Sequence, residues 1–453
     1  MQQVNLSSRW IARALDAVWL AALALYVVAG CWDVPFHGDE SSLIAMSRDY
    51  ASLVQQHDLD AVLYSPHPAD PAMQELRILN GTVGKMAMGL GWDLAGLSAG
   101  DLNGPWDWSL DYDLNAALGH VPGDRLLHAA RLSSALLAAL AVVAVFGIVR
   151  IASGSRIAAW AASLILATDP AVLLNGRRAM MEGSLLGFGT LAALAAVWLV
   201  REQRRAAPPR RLWLGATALG IASGLAIASK HSAAIVIAAL VVALVVEPGL
   251  RRVTEAHREQ RDRRLRLAWA GALTAAVFLL LTPAWWSDPS GMPDRVLHAR
   301  SVLMDGQVAK YGGFDGASER LGALVSRAFF DGPQYYEDPD WAAYVGGQIA
   351  AYDGSWLAGR GGGSVWGALL VTAFTAGCVA CVVNVAARGE DGGPAWVVLA
   401  WAGLTALALL VTNPLDWQRY YLPLQPPVAA IAGIGVGAAA RWSIRDWRER
   451  TPA

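Results

Sequence analysis

An acidic pair, Asp39-Glu40 in PFHGDESSLIAM, follows directly on the first long apolar stretch of the chain, Ile11–Cys31. Single charged residues recur at the edges of later apolar stretches: Lys85 in NGTVGKM, Arg131 in HAARLSSA, and Arg177, Arg178 and Glu182 in NGRRAMMEG. Lys230-His231 in ASKHSA and Arg419-Tyr420 in DWQRYYLP continue the series. A carboxylate takes the proton of an attacking hydroxyl, and Lys and Arg hold a departing phosphate by charge-assisted hydrogen bonds. These residue types together suit displacement of a phosphate. Taken one at a time, the acid pair fits a solvated loop equally well, and each cation fits a side chain snorkelling to the interface. Their recurrence at one membrane level is the stronger signal. His37 and Glu40 beside Asp39 form a candidate site for a divalent cation, Mg²⁺ or Mn²⁺, since such ions keep many waters and need only one or two carboxylates. No cofactor is required by the sequence.

The elements that must position these residues are membrane helices. With 55% hydrophobic and 16% charged residues, the 453-residue chain is too apolar for a soluble enzyme. Windows of roughly 20 apolar residues mark membrane spans, and they fall at Ile11–Cys31, Leu126–Val149, Ile157–Leu174, Gly183–Val200, Leu212–Ala228, Ser232–Val246, Leu267–Pro283, Trp366–Ala387, Ala395–Thr412 and Tyr421–Ala440. With the N-terminus cytoplasmic, the inner connections hold Arg9, Arg13, Arg150, Arg156, the REQRRAAPPRR run, the RRVTEAHREQRDRRLR run, Arg388 and the RWSIRDWRER tail. Well over half of the 36 basic residues then lie inside and most of the acids outside, which satisfies the positive-inside rule. The expectation is a multi-pass plasma-membrane protein with both termini cytoplasmic. Its basic runs set topology and do not bind nucleic acid. Trp10, Trp32, Trp213, Trp285, Trp286, Trp366, Trp417 and Trp442 sit at span ends, where indole rings favour the interface. Three cysteines make no disulfide framework. The Val-Ala-Gly-Cys31 sequence is like a lipoprotein processing site, but Arg13 and Asp16 interrupt its apolar core.

Two long hydrophilic stretches, residues 32–125 and 285–363, fall on the outside of what reads as one domain, 1–453. In the first, SSLIAMSRDYASLV extends the HGDE segment as an amphipathic helix, and LRILNGTVGKMAMGLGWDL lies on or dips into the membrane. Trp106, Trp108, Tyr335, Tyr336 and Trp341 suit stacking on sugars or peptides, and interfacial anchoring as well. No internal repeat marks a duplicated transporter, and no phosphate-cradling loop marks a nucleotide-sugar enzyme. Cations and a carboxylate at the outer leaflet, beside an apolar groove for a lipid tail, fit a polyprenyl-phosphate sugar as donor. The acceptor, whether protein, lipid or glycan, is left open.

The order of an acidic pair after the first span, NGTVGK, HAARLSSALLAALAVV, LILATDPAVLLNGRRAMMEGSLLGFG, GLAIASKHSA and a terminal RYYLPLQPPVAAIAG resembles the lipid-carrier-dependent glycosyltransferases of the GT-C fold. Within them it is similar to bacterial relatives of protein O-mannosyltransferases and aminoarabinose transferases. The resemblance implies an all-α polytopic bundle of about 10 transmembrane helices with two large extracytoplasmic loops. It implies transfer of a hexosyl or pentosyl group on the outer face, by a single inverting displacement. Asp39 would be the base, Glu40 its neighbour in substrate or metal binding, and Glu182 a carboxylate orienting a sugar where relatives more often carry Asp. Lys85, Lys230 and Arg419 would contact phosphate, with Arg178, His231 and Tyr420 beside them as substrate-binding residues. The alternative is a multispan transporter or flippase of lipid-linked sugars, which predicts mid-membrane polar residues and short loops on both sides.

Overall fold

A computed structural model describes residues 6–250, 257–359, 361–387, 389 and 392–450, with the backbone alone for 6–9 and 444–450. Three of the topology-setting cations, Arg251, Arg252 and Arg388, lie outside the described residues. Every regular element described is helical. After α1 (Leu6–Ala29), the first long loop carries α2 (Gly38–Met46), α3 (Pro71–Leu79) and α4 (Val83–Leu94). Then come α5 (Asp124–Ser153), α6 (Arg156–Thr168), α7 (Pro170–Arg177), α8 (Glu182–Arg204), α9 (Pro209–Ser229), α10 (Ala233–Val246) and α11 (His257–Leu281). The second long loop carries α12 (Met292–Tyr311) and α13 (Ala317–Phe329). The chain ends with α14 (Ser364–Ala387), α15 (Gly392–Thr412), α16 (Gln418–Tyr421) and α17 (Gln425–Arg450).

Among the described residues, nine helices are long and apolar enough to cross a membrane, and the pair α6–α7 makes a tenth if it is one span. The sequence pattern predicts that third span as a continuous helix, but it bends by 59°. Asp169 and Pro170 cause the break. Proline has no N–H to continue the ladder, and the Asp169 side chain accepts the Val172 N–H at 2.8 Å, starting a new helix. The bend turns α7 and its terminal arginines back under the first long loop.

At the centre stands α5, packed against α1, α6 and α8. Its Val142, Val145 and Ile148 are fully buried, as are Ala193 and Val197 of α8. The α5–α8 approach depends on two glycines: a Cβ on Gly183 or Gly187 would lie 2.3 Å from the carbonyl oxygen of Ser134 or Leu137. Small residues at such seams let helix backbones touch, and packing contacts then replace the hydrophobic drive that lipid does not supply. Toward lipid, α1 exposes Ile11, Leu15, Val18 and Leu25. Trp10, Trp213 and Trp442 are exposed as interfacial anchors should be, but Trp417 is buried and takes no such role.

The two long loops pack on each other at one end of the bundle, where Trp106 and Trp108 meet Trp341 at ring distances of 5.6 and 5.4 Å. The opposite end gathers the short connections. There Arg204 pairs with Glu247 at 2.6 Å and donates to the Gly389 carbonyl at 2.6 Å.

Candidate active site

The acid pair opens α2, and a local capping box fixes it. His37 is the N-cap: its Nδ1 accepts the Asp39 N–H at 3.1 Å, and the Glu40 carboxylate accepts the His37 N–H at 3.0 Å. The helix is buried on nearly every side, so the predicted amphipathic helix is a core element, and beyond Ser47 helical turns continue over Arg48–Tyr50 and Ala51–Gln55, as far as the SSLIAMSRDYASLV segment runs. Glu40 has a further task. Arg131 of α5 donates to it through Nε and Nη2, both at 2.8 Å, and the Ala179 N–H donates at 2.8 Å. A carboxylate offers about four acceptor positions, and here each is filled. Burial opposes the charge on Glu40, but Arg131 and these donors outweigh it and hold the carboxyl below its ordinary value. Glu40 therefore anchors α2 to α5 and has nothing left to offer a substrate or a metal.

Two arginines at the end of α7 complete the mounting. Arg177 donates to the carbonyls of Tyr26 and Val27 at 2.7 and 2.8 Å, satisfying unpaired groups at the C-terminus of α1. Arg178 donates to the Pro35 carbonyl at 3.0 Å and the Tyr335 carbonyl at 2.9 Å. One side chain thus ties the approach to Asp39 to the second long loop. Arg178 is buried outside the cavity described below.

Asp39 sits differently. Its side chain is 26% exposed and pairs with Arg419 of α16, whose Nε lies 3.0 Å from Glu337. Glu337 in turn meets His37 Nε2 at 3.1 Å. Burial raises the Asp39 carboxyl, but Arg419 and His37 outweigh it and hold it below the usual aspartate range. Glu337 is pushed down in the same manner. These contacts also decide the metal question. His37 has its two ring nitrogens on Asp39 and Glu337, and Glu40 is filled by Arg131, so His37, Asp39 and Glu40 do not face one point. Among the described residues, no three His, Cys, Asp or Glu side chains converge as metal ligands. The residues present do not fit the expected cation.

A cavity of about 480 Å³ opens beside Asp39. Its polar side carries Asp39, Glu182, Lys230, Arg300, Arg419 and Tyr420, and its apolar side is built from Leu43, Met46, Leu76, Met181 and Leu303. Glu182, at the first turn of α8, takes Lys230 Nζ at 2.6 Å on one oxygen. Its other oxygen is buried without a hydrogen-bond partner. Lys230 reaches the cavity because α9 stops there: Thr82 donates to the Ala228 carbonyl at 2.7 Å, and Gly81 lies so close that a Cβ would meet the Ser229 oxygen at 2.1 Å. The NGT loop thus seals the end of α9 beneath Lys230. Tyr420 contacts Gln307 of α12 at 3.2 Å, with Arg300 over its ring at 5.7 Å.

Of the other predicted residues, Lys85 is buried away from the cavity with Nζ 2.6 Å from Asp49, and Arg77 holds the same carboxylate at 2.7 Å. His231 packs edge-on to Phe278 and at a tilt to Trp285, and burial with Arg300 nearby pushes its imidazole down to about 4. Trp106, Trp108, Tyr336 and Trp341 form one cluster, in which Tyr336 stacks on His37 at 4.5 Å and Trp108 lies 5.9 Å from His37, whereas Tyr335 packs apart from them against Tyr352. Trp106 and Trp108 also reach the cavity.

Sequence reading missed Glu337, Arg300 and Gln307. Glu337 belongs to QYYEDPDW, a run notable for its rings, and its acid gave no separate signal. Arg300 and Gln307 lie seven residues apart, two turns along α12, a spacing that marks one helix face. Nothing along the chain says which face that is.

Residues 81–287, less than half of the chain, match the family described as dolichyl-phosphate-mannose-protein mannosyltransferase. No curated protein matches the chain. Among solved structures, ArnT from Cupriavidus metallidurans in the apo state is similar at a TM-score of 0.53 and 17% identity, over 97% of this chain and 62% of ArnT. The same protein bound to undecaprenyl phosphate gives 0.52 and 16%, over 96% and 61%. The archaeal oligosaccharyltransferase AglB from Archaeoglobus fulgidus gives 0.55 and 13%, over 98% of this chain and 53% of AglB. The chain thus spans less than two thirds of the length of each of these. The chain thus has the polytopic helical GT-C fold of these solved structures.

Proposed function

We propose that this protein is a membrane glycosyltransferase that moves a sugar from a polyprenyl-phosphate carrier to an acceptor at the outer face of the plasma membrane. The observation that carries the reading is a cavity that sets Asp39 among Lys230, Arg300 and Arg419, with an apolar side for a lipid. That similar folds are known with undecaprenyl phosphate and with a dolichol-phosphate supports a lipid-phosphate donor.

In this mechanism the donor phosphate lies on Lys230 and Arg300. An acceptor hydroxyl attacks the anomeric carbon as its proton passes to Asp39. The new carbon–oxygen bond forms as the old one breaks, and the electron pair leaves on the phosphate, which the cations stabilise. Single displacement inverts the anomeric centre. Asp39 must let go of Arg419 to act as a base, and a phosphate arriving nearby draws the guanidinium away. Glu182 has one oxygen on Lys230 and one free, which suits it to hold a hydroxyl of the sugar while orienting the lysine. Lys85 supports this site through Asp49 from behind the wall. The test is transfer from a polyprenyl-phosphate sugar by purified protein. Asp39→Asn is expected to abolish turnover while the protein remains folded, and retained transfer would remove Asp39 as the base.

A further inference from the structure

A second cavity, of about 550 Å³, lies on the far side of the Asp39 ion pair. It is built entirely from the second long loop and the link between α15 and α16. Its lining includes Tyr311, Phe314, Glu319, Glu337, Asp338 and Asp416. Glu337 joins the two spaces: it lines this cavity, and Arg419, held 3.0 Å from it, lines the other and grips Asp39. This junction is firmly mounted, since Gln334 and Gln418 exchange hydrogen bonds of 2.7 and 3.0 Å between backbone and side chain, and Phe314 donates to the Pro414 carbonyl at 3.2 Å.

Inverting displacement needs its two substrates on opposite faces of the transferred sugar. The Asp39 cavity holds the cations that suit a phosphate. The second cavity differs: Glu319, Glu337, Asp338 and Asp416 line it beside Lys310, which folds over the Tyr311 ring at 4.9 Å. Arg419 pairs with Glu337 at 3.0 Å and Arg327 with Asp416 at 2.8 Å, so four carboxylates meet three cations and the balance, still acidic, disfavours an anionic ligand. Carboxylates accept hydrogen bonds from hydroxyl groups, and the half-buried Phe314 and Tyr311 rings offer apolar surface to the C–H face of a pyranose. The geometry points to this cavity as the acceptor site, and to a neutral saccharide as the class of acceptor. The assignment rests on the glycosyltransferase reading above. The acceptor hydroxyl reaches Asp39 where Glu337 and Arg419 now meet, once the guanidinium swings toward the donor phosphate.

The experiment uses the full-length protein in phosphatidylcholine nanodiscs. Maltotriose serves as the saccharide probe, a lysine-rich serine peptide as its rival, and undecaprenyl phosphate as the donor-side probe. Saturation-transfer NMR is expected to show saturable maltotriose binding. Phe314→Ala should weaken it about tenfold, the scale of one aromatic contact. Asp338→Asn should weaken it comparably while sparing the fold, because asparagine caps the helix that Asp338 begins. Undecaprenyl phosphate should bind both variants as it binds the wild type. Absence of maltotriose binding, binding indifferent to both substitutions, or binding of the peptide in its place would overturn the proposal. If undecaprenyl phosphate fails to bind, the donor reading falls, and the maltotriose titration still decides this one.

Discussion

Two adjacent carboxylates, alike in sequence, have opposite fates. Glu40 is enclosed and fully bonded, and Asp39 is partly open and paired with Arg419. Replacing Glu40 by Gln leaves Arg131 buried without a counter-charge, a change that costs about 3–5 kcal/mol. The expected result is a large loss of thermal stability in detergent, with residual folded protein still binding donor. Because the Glu40 carboxyl is lowered in the folded state, its stabilisation is complete above the ordinary glutamate value of about 4.3 and drains away as pH falls through the lowered value. The pair also predicts a pH effect on activity. Arg419 keeps Asp39 ionised, so wild-type kcat/KM should show no Asp39 limb down to about pH 5. In Arg419→Gln, burial and Glu337 remain and the opposing cation is gone, so the acid limb should rise above the ordinary aspartate value of about 3.9. An unshifted limb would mean that Asp39 does not set it. Sequence alone singled out Asp39 and Glu40 together. It did not divide them, because the division comes from Arg131 and Arg419, which lie 91 and 380 residues away from their partners.

At the scale of elements, the site depends on where helices stop. The sequence pattern predicted one continuous span over Ile157–Leu174, although Asp169 and Pro170 lie inside it. Hydrophobic length alone hid the 59° bend that these two residues set. The NGTVGK segment shows the reverse. It was read for its lysine, but its structural weight lies in Gly81, which lets the loop close on the end of α9. Gly81→Val places side-chain atoms against the Ser229 backbone, overpacking that costs about 1–3 kcal/mol. Lys230 should then be displaced from Glu182, and the expected outcome is weaker donor binding in a titration with undecaprenyl phosphate. Lys85→Met is expected to act differently: it removes one of two cations on Asp49, so thermal stability should fall while donor affinity changes little.

For the whole molecule, the charge asymmetry predicts that both long loops face the exterior. A cysteine placed at exposed Ser109 should react with an impermeant thiol reagent on intact cells, and one placed at Arg205 only after permeabilisation. The opposite pattern would invert the topology and with it the side of the reaction. Composition and charge by themselves determined the membrane class, the positions of the spans and the two hydrophilic loops, since hydrophobic length and loop charge act locally and can be summed along the chain. They also marked most of the cavity's charged residues, because a charge at a span end is conspicuous against apolar neighbours. Only the tertiary structure decided which of those charges face an open space and which neutralise each other in the wall. Lys85, Arg131 and Arg178 look like Lys230 and Arg419 in sequence, but the first three meet buried acceptors and the last two meet the cavity. That choice rests on contacts between helices and loops far apart in the chain, and no local pattern encodes it.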